Sequence, residues 1–125
     1  MIVEIIESIF AWFDTPAHEE TRRQLDLQKY IIEKPYASVL IHVKGDSMQD
    51  AGIIEGDIVV VDKSKSPKVW DVVVACVDSK YTLKFFDKDT KGAVFLRAGN
   101  PRYSDIIPTA ELEIFGVVVS LVRKY

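Results

Sequence analysis

Ser38-Val39-Leu40-Ile41-His42-Val43-Lys44-Gly45-Asp46-Ser47-Met48 joins an apolar run to a glycine-serine turn, and the rest of the chain reads outward from it. The first six residues alternate and branch like a β-strand. Gly45 then lets the backbone bend at the strand end, so that the Ser47 hydroxyl stands clear and nearby N–H groups converge. Gly-Asp-Ser is also ordinary turn chemistry, and both readings stand on these letters alone. A turn-rich segment, Gln49 to Asp57, follows.

From Tyr36 onward the pattern is one of strands. Ile58-Val59-Val60-Val61-Asp62 and Asp71-Val72-Val73-Val74-Ala75-Cys76-Val77 are unbroken apolar runs, each opened by an aspartate, as expected of strands buried on both faces. Lys80 to Phe86, Ala93 to Ala98 and Ile114 to Val122 supply three more, separated by turns at 78–79, 87–92 and 99–101. At least six strands with little helix predict a mostly β fold, compact and highly curved. Ile114 to Val122 suits either a buried central strand or a subunit contact.

Before residue 36 the chain is different. Residues 1–13 are apolar, with spacing that fits a helix and β-branched residues that fit a strand. This arm needs a surface to lie on. Residues 14–24 are polar and broken by Pro16, a flexible connector. Leu25 to Lys34 predicts one short helix, with Asp26 as N-cap, Leu27, Tyr30 and Ile31 as a partial apolar face, and Pro35 as its end. The expected organisation is thus an arm and connector over 1–24 and a β domain over 25–125.

Composition narrows the function classes. The chain has 125 residues, enough for one domain that buries roughly two-thirds of its unfolded surface. A net charge of −3 argues against a nucleic-acid-binding surface. The single cysteine, Cys76, excludes an internal disulfide and a cysteine-based zinc site, and its apolar strand predicts a buried core thiol. His18 and His42 are isolated, so no metal or cofactor is expected. Residues 1–13 are too short to span a bilayer, carry Glu4 and Glu7, and lack a basic leading region, so no membrane association and a cytoplasmic location are expected.

Lys84 is the second residue of interest. Strand periodicity puts it with Thr82 and Phe86 on one face of its strand, opposite Tyr81, Leu83 and Phe85. One reading runs its stem along apolar surface and keeps the ammonium in water. The other pairs it with Ser47. A serine hydroxyl needs a base within reach to become a nucleophile, and lysine serves only when neutral. With an ordinary pKa of about 10.4, bringing the amine near 7 costs on the order of 4 kcal/mol, which burial among apolar side chains supplies and an exposed site does not.

Gly45-Asp46-Ser47-Met48, the Gly56-Asp57 strand start, Lys84 placed 37 residues after Ser47 (84 − 47), Asn100-Pro101-Arg102-Tyr103 and Phe115-Gly116-Val117-Val118 occur in order. Together they resemble the LexA/UmuD family of self-cleaving serine peptidases, most closely its UmuD branch, from about residue 13 to the C-terminus. The resemblance implies a mostly β peptidase domain that forms homodimers. It implies Ser47 as nucleophile, Lys84 as general base, and the Asp46 and Ser47 backbone N–H groups as oxyanion donors. It also implies an SOS-response protein whose self-cleavage is promoted by a RecA filament on single-stranded DNA. The shortened dimer would then serve a UmuC-like Y-family polymerase in translesion synthesis; contact with the sliding clamp is left open.

One departure stands out. The family cuts an Ala-Gly or Cys-Gly bond, and aligning the segment from Phe13 places Ala11-Trp12 there. A glycine would let the chain lie close to the nucleophile, whereas tryptophan is the bulkiest replacement. Reach is no obstacle, since 35 residues (47 − 12) separate Trp12 from Ser47 and extended chain covers about 3.3 Å per residue. Slow or absent cleavage is therefore expected. Ala51-Gly52 and Ala98-Gly99 have suitable letters but read as ordinary turns. The alternatives are a non-cleaving dimeric module of the same fold, a LexA-like repressor lacking its DNA-binding domain, and a signal-peptidase-like enzyme. The 46 residues before Ser47 leave no room for a helix-turn-helix domain, and a signal peptidase would want a membrane anchor.

Overall fold

The valine-rich runs that alternate with short turns form a single seven-stranded antiparallel sheet in the computed structural model, which describes residues 2–8 by their backbone, 27–107 and 112–125. The strands are β1 (Ile2–Ser8), β2 (Ser38–Lys44), β3 (Ile58–Asp62), β4 (Val72–Val77), β5 (Lys80–Lys88), β6 (Val94–Arg97) and β7 (Glu113–Val122). Their order across the sheet is β1-β2-β3-β7-β4-β5-β6. Six of them follow residue 36, as the sequence pattern predicts. The sheet curls far enough for β1 to approach β5 from across the fold.

The unbroken apolar runs are buried on both faces, for the reason the pattern implies. Val59, Val61, Val74 and Leu83 join Ile41, Val43, Met48 and Ile53 in one apolar cluster. Val73, Ala75, Phe86, Leu96 and Val117 form a second on the opposite side, and Val60 with Ile32 and Leu40 a third. Period-2 alternation thus sends successive valines of one strand into different clusters. β7 stands between β3 and β4 in the sheet, pairing with β4 through Glu113–Val117 and with β3 through Val117–Val122, and Val119, Leu121 and Val122 are exposed. Gly116 permits the close packing there: a Cβ would stand 2.6 Å from Val61 Cγ1 and 2.9 Å from the Asp62 carbonyl oxygen.

In the N-terminal arm, for which helix and strand were both open, the described residues 2–8 form a strand. It lies on its own domain, paired antiparallel with β2 from Ile2↔Lys44 to Ser8↔Val39, with an irregularity between Ile5 and Glu7. The connector, Asp26 and the Ala11-Trp12 bond lie outside the described residues.

Three local expectations are corrected. Among the described residues the helix, α1, runs Leu27–Ile31 and stops before Lys34, and Pro35–Ala37 forms a separate 3-10 turn. Proline tolerates that first-turn position because the missing N–H would be unpaired there anyway. Leu27 and Tyr30 are exposed, and the apolar contact is made by Ile31 and Ile32, the latter in the cluster with Leu40 and Val60. Cys76 is half-buried rather than a core thiol.

Candidate active site

The strand β2 delivers its chain to a turn in which Gly45 takes φ +88°, a left-handed conformation that a side chain would resist. Ser47 follows, then a 3-10 turn at Gln49–Ala51 closed by Gly52 at φ +73°. Met48 anchors the turn in the largest apolar cluster. Ser47 is 0% exposed, and its Oγ has no hydrogen-bond partner among the described residues. A buried hydroxyl without a partner costs about 1–3 kcal/mol, so its persistence asks for an explanation.

Lys84 sits in the middle of β5, opposite Val73 of β4, and is 4% exposed. Burial holds its amine below the ordinary lysine range, against the Asp105 carboxylate, which pulls the other way. Nζ lies 5.5 Å from the centroid of the Tyr103 ring. No hydrogen bond joins it to Ser47 Oγ. Catalytic contacts of this kind are often long before the substrate is in place.

A single loop after β6 connects the two residues. The Tyr103 hydroxyl donates to Asp46 Oδ1 at 2.6 Å while its ring faces Lys84. The buried Asn100 donates from Nδ2 to the Asp46 carbonyl oxygen at 2.9 Å, and the Asp50 N–H donates to the Gly99 carbonyl at 2.7 Å. Gly99 is more than an ordinary turn residue: a Cβ there would stand 2.9 Å from Met48 Sδ and 3.1 Å from Met48 Cα. Neither the Asp46 nor the Ser47 N–H donates to another described group. A groove lined by Asp89, Val94, Phe95, Asp105 and Ile107 opens beside β6 and shares Asp105 with the surroundings of the lysine.

The return from the serine turn is fixed from another direction. Arg123 donates from Nε and Nη2 to the two oxygens of Asp57, each at 2.7 Å, and from Nη2 to the Gly52 carbonyl at 2.6 Å. Asp57 is buried and also accepts from the Ile54 N–H. The Arg123 hydrogen bond is the largest influence on its carboxyl and holds it below the usual range, outweighing the desolvation that would raise it.

The structure buries both Ser47 and Lys84, and one loop contacts the lysine and the residues on either side of the serine. Sequence reasoning missed the side chains that make these contacts. Asn100 and Tyr103 entered only as letters of a motif, and Asp105 not at all. The strong turn signal at Gly99-Asn100-Pro101 could have flagged a functional loop, but nothing in it names its contacts. Among the described residues, no group of His, Cys, Asp and Glu is placed to hold a metal ion, and no helix is long and apolar enough to cross a membrane.

Comparison with known proteins agrees with this geometry. Residues 4–119 match the Peptidase S24-like family. The chain is 39% identical over 114 residues to Protein SamA of Salmonella typhimurium, covering 91% of this chain and 79% of that protein. It is 32% identical to Protein ImpA of Escherichia coli, over 91% of this chain and 78% of that one. The LexA repressor of Verrucomicrobium spinosum is 43% identical over 90% of this chain, which spans only 54% of the repressor. On this match the chain belongs to the Peptidase S24-like family, the LexA/UmuD group of self-cleaving serine peptidases.

Proposed function

We propose that the chain is a UmuD-like, self-processing serine peptidase in which Ser47 is the nucleophile and Lys84 the general base. One observation carries this reading: Tyr103 links the turn of a fully buried, unpartnered serine hydroxyl, through Asp46, to a lysine whose amine is driven toward neutrality by burial. Neutral Lys84 takes the Ser47 proton as Oγ attacks the Ala11 carbonyl. The Asp46 and Ser47 N–H groups receive the developing oxyanion. The Lys84 ammonium then protonates the departing Trp12 amine, and water, deprotonated by the same lysine, releases the acyl group.

In this reading the protein is a cytoplasmic SOS-response factor. Its cleavage is promoted by a RecA filament, and its homodimer is an accessory subunit of a UmuC-like Y-family polymerase. The likeness to SamA and ImpA supports this reading. Trp12 in place of glycine makes cleavage slow. The same residue favours the second reading, a non-cleaving dimeric module of the same fold.

Incubation at alkaline pH, and separately with RecA filaments, followed by mass spectrometry, separates the two. The first reading expects a slowly appearing fragment that starts at Trp12 and is lost in Ser47→Ala and Lys84→Ala, while both variants still capture a UmuC-like polymerase in a pull-down. Absence of any cut leaves the second reading; a cut that persists in Ser47→Ala removes the dyad.

A further inference from the structure

The Asp46 carbonyl is held from outside its own turn. Its oxygen accepts from Asn100 Nδ2 at 2.9 Å as well as from the Gln49 N–H at 3.3 Å. Asn100 is buried, and its amide orientation is set by the other end, where Oδ1 accepts from the Arg102 N–H at 3.0 Å. The nitrogen therefore faces Asp46. Tyr103 adds a second grip: its N–H donates to the Asn100 carbonyl at 3.0 Å and its hydroxyl to Asp46 Oδ1 at 2.6 Å. Residues 100 and 103 thus hold Asp46 by both main chain and side chain, over 50 residues away in sequence.

That carbonyl belongs to the peptide whose nitrogen is the Ser47 N–H. A trans peptide is planar, with C=O and N–H pointing in opposite directions. Whatever fixes one fixes the other. We propose that Asn100 is a positioning residue for the reaction: by pinning the Asp46 carbonyl it sets the plane of the Asp46–Ser47 peptide and aims the Ser47 N–H at the oxyanion. This rests on the reading of Ser47 as the nucleophile. The geometry is of the required kind, because donors that stabilise an oxyanion act only when they need no reorganisation, and a misplacement of about 1 Å costs on the order of 10²-fold in rate. Asn100 does not touch the reacting atoms; it acts through the peptide.

Asn100→Asp is the informative variant. It keeps the size and the Oδ1 acceptor for Arg102 but replaces the donor facing Asp46 with an acceptor. Two rates are followed across pH: self-cleavage, and phosphonylation of Ser47 by a fluorophosphonate probe, which reports even when cleavage is slow. The expected result is a plateau lower by on the order of 10²-fold in both, with the midpoint moved, if at all, toward alkaline pH, since a new carboxylate favours the charged Lys84 amine as Asp105 does. Asn100→Ala, which adds no charge, should lower the plateau likewise with the midpoint unchanged. Rates within about threefold of wild type, with Ser47→Ala inactive, would overturn the inference and leave the dyad standing. So would a loss that vanishes on cooling to where variant and wild type are equally folded. If wild type shows neither cleavage nor labelling, or Ser47→Ala matches it, the dyad itself falls and the inference with it.

Discussion

A lysine whose side chain is buried, as that of Lys84 is, gives up its proton at lower pH than a solvated one. The proposed self-cleavage should therefore rise with pH and level off with a midpoint below the ordinary 10.5. Asp105 favours the charged amine, so Asp105→Asn should move that midpoint further toward acid and speed cleavage severalfold at neutral pH. Asparagine can still accept from the Ala98 N–H that Asp105 Oδ1 binds now. First-order rates from pH 6 to 11 are the check, and a midpoint that moves alkaline in Asp105→Asn would contradict the assignment. The sign for stability follows by linkage. Over the window between the folded value and 10.5 the unfolded chain holds a proton that the folded chain has released. Stability therefore rises with pH across it, and Lys84→Met should abolish that rise. Strand period placed Lys84 beside Phe86 on one face, as found; it could not weigh water exclusion, which depends on the loop carrying Tyr103.

Between elements, the ion pair of Asp57 and Arg123 joins the start of β3 to the residues after β7. The pair is bidentate, and Asp57 is buried while a third of the Arg123 side chain reaches solvent. Arg123→Ala strands a buried carboxylate that water can only partly reach, and should cost about 2–3 kcal/mol. Asp57→Asn keeps an acceptor and should cost less. The carboxyl lies below its ordinary 3.8 when folded, so its contribution is fully present above that value and disappears as pH falls through the folded pKa. Urea unfolding at pH 7 and across the acid range tests both points. An Arg123→Ala protein as stable as wild type at pH 7 would show the pair to be a surface ornament. The Gly56-Asp57 strand start was visible in the sequence, but a partner 66 residues away (123 − 57) was not. No local pattern encodes it.

For the whole molecule, the apolar clusters take their described members from Ile31 onward, and β1 is the end strand of the sheet order, paired with β2. A chain starting at Trp12, the expected product of cleavage, should keep the fold and unfold cooperatively. It should lose about 0.2–1 kcal/mol for each cross-strand pair with β2. Hydrogen exchange should quicken at the β2 N–H groups that face β1 and stay unchanged in β3, β7 and β4. Global unfolding of the truncated chain would mean that the arm is part of the core.

The sequence by itself determined the strands, because runs such as Ile58 to Asp62 and Val72 to Val77 have no soluble state other than burial on both faces. It determined the glycine turn at Ser47, since positive φ at Gly45 is a local steric matter. It also singled out Lys84. Only the tertiary structure decided that residues 2–8 of the arm form a strand on β2, and that the buried contact beside α1 is made by Ile32 rather than Tyr30. It alone placed Asn100 and Tyr103 on Asp46. β2 and β5 stand four places apart in the sheet, and the loop after β6 meets both Asp46 and Lys84. Strand identity is written in the period of neighbouring residues, whereas such a meeting depends on twist and loop packing summed over the whole sheet.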